Sequence, residues 1–262
     1  MLRRRSTLLA FAGLLAMNAQ DAPPADSFDT AIAKPYTGAA NPAGYSHQIT
    51  PQGLTMRGVS MGYCIRLAYG LSAQRPYELA GPAWLDPPTD SVFEIAGKCD
   101  RPASPERIKM MLQALLKERF RLAVHRERRD LPAYLLTVSK AGLMQPSAVG
   151  ETKIAPGVKP NQLVFRHVSM AQLALQLGPP ITSRPVADLT GMPGSFDFAL
   201  DLNRYLTDPE TGKVITGTNG RIDQEEAVIR GVHDQLGLTM KPGRAAIDVL
   251  VVDHVEKKPV EN

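Results

Sequence analysis

The most suggestive catalytic motif in the sequence is the segment Gly58–Gly62, GVSMG, which matches G-x-S-x-G and follows a predicted strand. In α/β-hydrolases this spacing sets a nucleophilic serine on a tight turn between a strand and a helix. A second segment, Val168–Met170, occupies the same place 109 residues later without either glycine. A helix-capping serine explains both segments, because its hydroxyl can accept an unpaired backbone N–H. The sequence therefore favours capping, and Ser60 as a nucleophile is the alternative.

A dense basic run and the single tryptophan could each bind a partner. Within the run 117–129, Arg119, Arg121 and His125 form a candidate surface for an anionic ligand. The alternative is a charge pattern that keeps a strand edge from pairing with other chains. Trp84 lies in a turn rich in glycine and proline, where an exposed ring can anchor a glycan or peptide. A buried ring would instead pack over the turn.

The histidines do not predict a metal site or a cofactor. None of the five lies four residues from another, and the sequence contains no H-E-x-x-H pattern. Asp253 and His254 are adjacent, but neighbouring residues on a strand project to opposite faces of the sheet. Two cysteines are also too few for a zinc site of four cysteines.

The first 22 residues have the order of a secretory signal peptide. Three arginines at 3–5 precede an apolar run, Leu8–Met17, and small or polar residues follow it. The apolar run is shorter than the ~20 helical residues that span a bilayer. The alternative is an uncleaved anchor or a buried N-terminal helix. In an oxidising compartment Cys64 and Cys99 could form a disulfide, or both could stay buried thiols.

The charge of the chain depends on this N-terminal segment. The whole chain has a net charge of +4, and residues 1–19 contain three arginines and no acidic residue. Without them the chain has 27 basic and 26 acidic residues. Its basic character therefore belongs mainly to the predicted signal peptide, which argues against nucleic acid as a partner.

The rest of the chain contains an approximate duplication. Leu54–Met61 and Leu163–Met170 both begin with strand-like alternation and end at the start of a helical pattern. Each half continues with a turn, a strand, a second helix and two further strands. We place the last strands of the first half at 120–127 and 132–139. In the second half we place a turn at Pro242–Gly243.

This order of elements predicts an α+β fold with two pseudo-repeated halves of mainly antiparallel sheet, each packed by helices. We place the first half at 23–142 and the second at 161–262. Residues 143–160 have the glycine and proline content of a linker. The stretch 203–221 has no counterpart in the first half and is predicted to be an inserted hairpin or loop.

Eight segments of the chain together are typical of one protein family. They are Leu67–Gly70, Gly81–Leu85, Met111–Leu122, His125–Glu127, Leu189–Gly191, Phe196–Phe198, Gln235–Leu238 and Val251–His254. On these segments the chain resembles an uncharacterised, soil-associated family of bacterial proteins with a domain of unknown function. The resemblance covers nearly the whole chain after the signal peptide and implies an exported protein without an assigned reaction. Similar domains attached to membrane-bound metallopeptidase sensors imply a sensing or binding role outside the cytoplasm.

Taken together, these features predict a periplasmic or extracellular protein that acts as a non-enzymatic binding or sensing module in the cell envelope. The expected partner is an envelope protein or a small ligand. No segment after the signal peptide has the length and apolar character of a transmembrane helix. The first alternative function is an exported hydrolase that uses Ser60 or a site between the two halves. The second is an envelope scaffold that assembles through strand edges.

Overall fold

The computed structural model describes residues 27–38, 47–86, 91–159, 161–206, 211 and 224–260. The predicted signal peptide and most of the predicted insertion at 203–221 lie outside these residues. The described residues form twelve β-strands and five α-helices, in three sheets that are mostly antiparallel. The predicted α+β class is therefore confirmed. None of the described helices is long and apolar enough to cross a membrane.

The first half builds a four-stranded antiparallel sheet with two helices on one face. The strand order is β1-β5-β3-β2, and every neighbouring pair is antiparallel. The elements of this half are β1 (Thr30–Pro35), β2 (His47–Thr50), β3 (Gly53–Ser60), α1 (Met61–Tyr69), β4 (Leu79–Ala80), β5 (Val92–Lys98) and α2 (Pro105–Phe120).

The second half repeats this arrangement with the strand order β7-β11-β9-β8. The segment at 143–160 contributes two short strands to this sheet, because Ile154 and its neighbours pair with the following strand. The elements are β7 (Gln145–Pro146), β8 (Lys153–Pro156), β9 (Gln162–Ser169), α3 (Met170–Leu177), β10 (Val186–Asp188), β11 (Ser195–Asp201), α4 (Asn203–Leu206) and α5 (Gln224–Leu236).

A long antiparallel ribbon joins the halves. It consists of β6 (Ala123–Val138) and β12 (Leu238–His254), which pair along almost their whole length. The sequence prediction of two separate strands after α2 and of a turn at Pro242–Gly243 is wrong, since both segments continue through the ribbon.

The prolines fit into the ribbon because their nitrogens face away from the partner strand. The N–H of Tyr134 donates to the Pro185 carbonyl, 2.8 Å away, and so points out of the β6–β12 ladder. Pro132 lies two residues earlier and faces the same way. Pro242 is the partner of Tyr134 in the ladder, and its nitrogen also points outward. Neither proline therefore removes a ladder hydrogen bond.

Each half completes the packing of the other through this ribbon. The short strand β4 pairs in parallel with β12, with Leu79 opposite Leu250. The short strand β10 pairs in parallel with β6, with Val186 opposite Tyr134. The last strand of each half is therefore bonded to a strand of the other half.

The hydrophobic residues form two cores, and the ribbon contributes to both. The first core contains Phe93, Leu112 and Phe120, and it receives Leu250 and Val252 from β12. The second core receives Tyr134 and Leu136 from β6, which is the last strand of the first half. The second core also contains Phe165, Val168, Leu173 and Val232.

The duplicated strand-to-helix segments have the same local structure. Ser60 and Ser169 each accept a backbone N–H in the first turn of the following helix, at 3.2 Å in both cases. Both are N-caps, as predicted. Two residues before each serine, a backbone with φ of +63° at Gly58 and +50° at His167 forms a bulge. The left-handed backbone of His167 is supported by its N–H, which donates to Asp197 Oδ1 at 2.8 Å.

Candidate functional site

Ser60 lies in the core with its hydroxyl already engaged. Its side chain is 3 % exposed and accepts the Tyr63 N–H, and its backbone is in the ordinary extended region. The local structure also explains why the motif has glycine at both of its ends. Gly58 takes the left-handed backbone of the bulge. A Cβ at Gly62 would lie 2.3 Å from Asp86 Oδ1, so the approach of that carboxylate requires glycine. Catalysis by Ser60 stays a prediction.

Trp84 and Arg119 both contact the segment that follows β12. The Lys257 ammonium lies over the partly buried Trp84 ring, 5.5 Å from its centroid. The Arg119 carbonyl accepts the Val260 N–H at 2.7 Å. The two predicted binding residues are thus partly covered by one short segment of the same chain, and their binding role stays a prediction.

Arg121 ends α2 and shares an open groove with Arg119. It has a left-handed backbone, φ +51°, and its N–H donates to the Leu116 carbonyl. The groove has a volume of about 740 Å³ and runs between α2 and the residues at 27–31. Because Asp29 and Glu118 line it together with the cations, the groove carries charges of both signs.

His125 is half exposed on β6 and pairs with an acid from β12. Its Nδ1 lies 2.8 Å from Asp253 Oδ1, and its Nε2 lies 3.6 Å from Glu127 Oε2. The hydrogen bond to Asp253 raises the pKa of the His125 ring. Arg128 also pairs with an acid across the ladder, 3.5 Å from Asp248. The basic run is therefore interleaved with carboxylates, which agrees with a charge pattern that keeps a strand edge from pairing with other chains.

Of the four predicted binding residues, Arg119 and Arg121 line one groove, whereas His125 pairs with Asp253 and Trp84 contacts Lys257.

Both cysteines are free thiols, and burial raises the pKa of Cys64 to about 12. Among the described residues, no group of three or more histidine, cysteine, aspartate or glutamate side chains is arranged to hold a metal ion.

Sequence reasoning missed an apolar cavity in the second half. Its volume is about 330 Å³, and it lies between the helices α3 and α5 and the sheet strands β8, β9 and β11. Within the described part of the chain, polar lining is confined to the amides of Asn161, Gln162, Gln176 and Gln224, and no lining residue there is charged. The apolar lining residues are Ile154, Pro156, Leu163, Phe165, Leu177, Ile181, Leu200, Leu202, Leu206 and Val228.

A comparison of the helices α2 and α5 shows why this space is open. Both helices end at a left-handed residue, Arg121 and Gly237, and a buried leucine follows each of them. When residues are counted back from these two ends, Val228 of α5 corresponds to Leu112 of α2. The second core therefore has a valine at the position where the first core is filled by a leucine. By the same count the exposed Gln224 corresponds to Ile108, which is 1 % exposed in the first core.

The opposite wall of the cavity differs from the first half as well. By its place in the strand, Leu200 of β11 corresponds to Gly97 of β5. The Phe28 ring packs on Gly97 so closely that a Cβ there would lie 2.5 Å from it. The matching edge strand β7 pairs with β11 only at Phe196 and Asp197, and among the described residues it does not reach Leu200.

The sequence did contain a sign of this cavity. Ile108, Met111 and Leu115 give α2 a continuous apolar stripe, whereas the matching positions of α5 are Gln224, Ala227 and Gly231. A position-by-position comparison of the two helices would have shown that α5 brings less volume to its core. The predicted insertion also begins beside two cavity residues, Leu202 and Leu206.

Comparison with known proteins shows which family the chain belongs to. A family model described as a protein of unknown function, DUF3738, matches residues 62–255, which is most of the chain. No curated protein and no solved structure matches the chain.

The open space predicts different costs for the same substitution in the two halves. Val228→Phe places the added ring in the cavity, so we expect the free energy of unfolding to change by less than about 1.5 kcal/mol. Leu112→Phe, at the matching position of the filled core, should lower it by about 1–3 kcal/mol. Urea denaturation of both variants measures the difference. Equal losses in the two variants would contradict an open cavity.

The His125–Asp253 pair predicts a pH dependence. Asp253→Asn should lower the pKa of His125 toward its ordinary value, because the hydrogen-bonded carboxylate stabilises the protonated ring. The stabilisation from this pair should be present below the ordinary histidine pKa and be lost as the pH rises through the raised pKa. An NMR titration of the ring protons measures the pKa. Asp248→Asn, whose carboxylate pairs with Arg128, is the control and should shift it less.

Proposed function

The chain belongs to the DUF3738 family of proteins of unknown function, and we propose that it is an exported, non-enzymatic module that binds a small ligand in the cavity of its second half. The proposal rests mainly on the apolar cavity of about 330 Å³, whose mouth is formed by amide side chains. Small-molecule sites commonly have this composition, an apolar lining with a few polar groups that fix the orientation of the ligand.

The first half supports this proposal because it shows that the fold does not require a cavity. The two halves share their sheet order, their capped helices and their bulges. In the first half the matching space is filled by Ile108, Leu112 and Phe28, all of which are buried. Protein interiors are normally packed to high density, so the space that the described residues of the second half leave open needs a reason. A bound ligand is such a reason.

The site residues support a binding role more than a catalytic one. The Ser60 hydroxyl caps α1 within the first core, and it is engaged by the Tyr63 N–H. The cavity is lined by apolar and amide side chains, and neither type transfers protons readily at neutral pH. These groups can hold and orient a molecule without changing it.

Export to the cell envelope is the second part of the proposal. It is supported by the three arginines and the apolar run of the N-terminal segment. The near balance of 27 basic and 26 acidic residues beyond residue 19 argues against nucleic acid as the partner. In the envelope the module would meet ligands from outside the cell, which suits a binding or sensing role.

Ligand binding can be tested with an uncharged dye, N-phenyl-1-naphthylamine, whose fluorescence rises in apolar surroundings. The full-length protein should bind it saturably at one site. Val228→Phe and Leu163→Phe should each weaken binding by about tenfold or more, because the added ring takes up cavity volume that the dye needs.

Leu175→Phe is the matched control. It adds the same ring to α3 at a position that is 45 % exposed and does not line the cavity. This variant should bind the dye as the wild-type protein does. The proposal fails if the wild-type protein shows no saturable binding, or if both cavity variants retain its affinity.

A further inference from the structure

We infer that the ligand of this cavity is an uncharged molecule with an aliphatic body and one hydrogen-bonding end group, such as an alcohol or an amide. The inference rests on the proposed function and adds the chemical class of the ligand. It is carried by the lining of the cavity, by the positions of the nearby charges and by the amides at the mouth.

The lining favours an uncharged ligand. Fourteen of the described residues surround the cavity, ten of them apolar and four with amide side chains, and none of these carries a charge. An ion moved from water into such surroundings without a partner loses several kcal/mol of solvation. A carboxylate or an ammonium group inside the cavity would therefore bind much more weakly than a neutral group on the same body.

The charged residues of the neighbouring strands lie on the other face of the sheet. Ile154 and Phe165 are partners in the β8–β9 ladder, and both line the cavity. Lys153 and Arg166 are the next partners in this ladder, and successive residues of a strand project to opposite faces. These two cations line a separate surface groove and do not reach the cavity.

Among the described residues beside the mouth, two charged groups are already paired. Glu225 follows the mouth residue Gln224, and its carboxylate accepts hydrogen bonds from the Tyr134 hydroxyl, the Ser183 N–H and the Ser183 hydroxyl. The Lys159 ammonium lies 3.4 Å from a carboxylate oxygen of Asp201. Neither group is available to a charged ligand without the loss of these contacts.

The mouth provides both donors and acceptors. Asn161 and Gln162 stand at the start of β9, Gln176 lies near the end of α3, and Gln224 begins α5. Gln176 and Gln224 are exposed. An amide side chain can donate to and accept from a neutral hydroxyl or carbonyl group. Asn161 Nδ2 already donates to Asn203 Oδ1, and Gln162 Oε1 accepts the Lys159 N–H. The body of the ligand would therefore lie among the apolar residues with its polar end toward Gln176 and Gln224.

The volume sets the size of this body. At about 330 Å³ the cavity lies near the lower limit of the ~300–1,000 Å³ range of small-molecule sites. It suits a medium-length aliphatic chain or a compact ring system. A decyl chain is a suitable probe because one body is available with neutral, anionic and cationic end groups.

The test is the displacement of N-phenyl-1-naphthylamine from the full-length protein by three probes, each below its aggregation concentration. The probes are 1-decanol, decanoate and decyltrimethylammonium, at a pH where decanoate is ionised. Decanol should displace the dye at a concentration about tenfold or more below that of either ion, because only the ions lose solvation without a partner.

Charge substitutions at the mouth sharpen the test. Gln224→Lys should improve displacement by decanoate, and Gln224→Glu should improve displacement by decyltrimethylammonium, because each variant supplies the missing partner. Displacement by decanol should improve in neither variant, so each substitution should change the preference among the three end groups. Residue 224 is exposed, so the folded structure should tolerate either change.

The outcomes separate the ligand class from the site. If the dye binds and either ion displaces it as well as decanol does, the uncharged class is wrong while the binding site stands. If the dye binds and decanol does not displace it, the aliphatic class is wrong. If the dye does not bind at all, the proposed function fails and this inference fails with it.

Discussion

The strands β6 and β12 hold the molecule together because both of them cross both hydrophobic cores. β12 contributes Leu250 and Val252 to the first core and Leu238 and Met240 to the second. β6 contributes Leu136 to the second core and packs Val124 against the first. The short strands β4 and β10 each bond to the last strand of the other half. Neither core is complete without residues from both halves, so the two halves depend on one shared element.

This dependence explains how a duplicated fold can differ in its two copies. The first core is closely filled, with large side chains such as Phe93, Ile108 and Leu112 almost fully buried. In the second core Gln224 stands at the position of Ile108 and Val228 at that of Leu112, and a cavity remains between the helices and the sheet. Because the ribbon couples the cores, the filled half can stabilise a half that gives up some packing. We propose that the two copies of one arrangement have different roles, stability in the first half and ligand binding in the second.

Features set by local sequence could be predicted, and those set by distant contacts could not. The N-caps at Ser60 and Ser169 follow from a strand, a serine and a helical pattern within a few residues. The continuous ribbon was missed because proline and glycine at 242–243 are typical of turns. Their place in the ribbon depends on which side of β12 is unpaired, and that is decided by residues far away in the sequence.

The candidate site shows the same division. Arg119 and Arg121 do line one groove, but the contacts of Trp84 with Lys257 and of His125 with Asp253 depend on the path of β12. The cavity is lined by residues from six separate elements and their connections. Its presence could be suspected only from a comparison of α5 with α2, where smaller side chains occur at matching positions.

The central claim, that the ribbon makes the two halves one cooperative unit, is tested by denaturation with two probes. Trp84 is the only tryptophan and lies in the first half, and far-UV circular dichroism follows the whole chain. Leu173→Ala removes a fully buried side chain from the second core and should cost about 2–5 kcal/mol. We predict that Trp84 fluorescence and circular dichroism shift together to lower urea as one transition. An unchanged Trp84 transition beside a separate, earlier loss of circular dichroism would contradict the account.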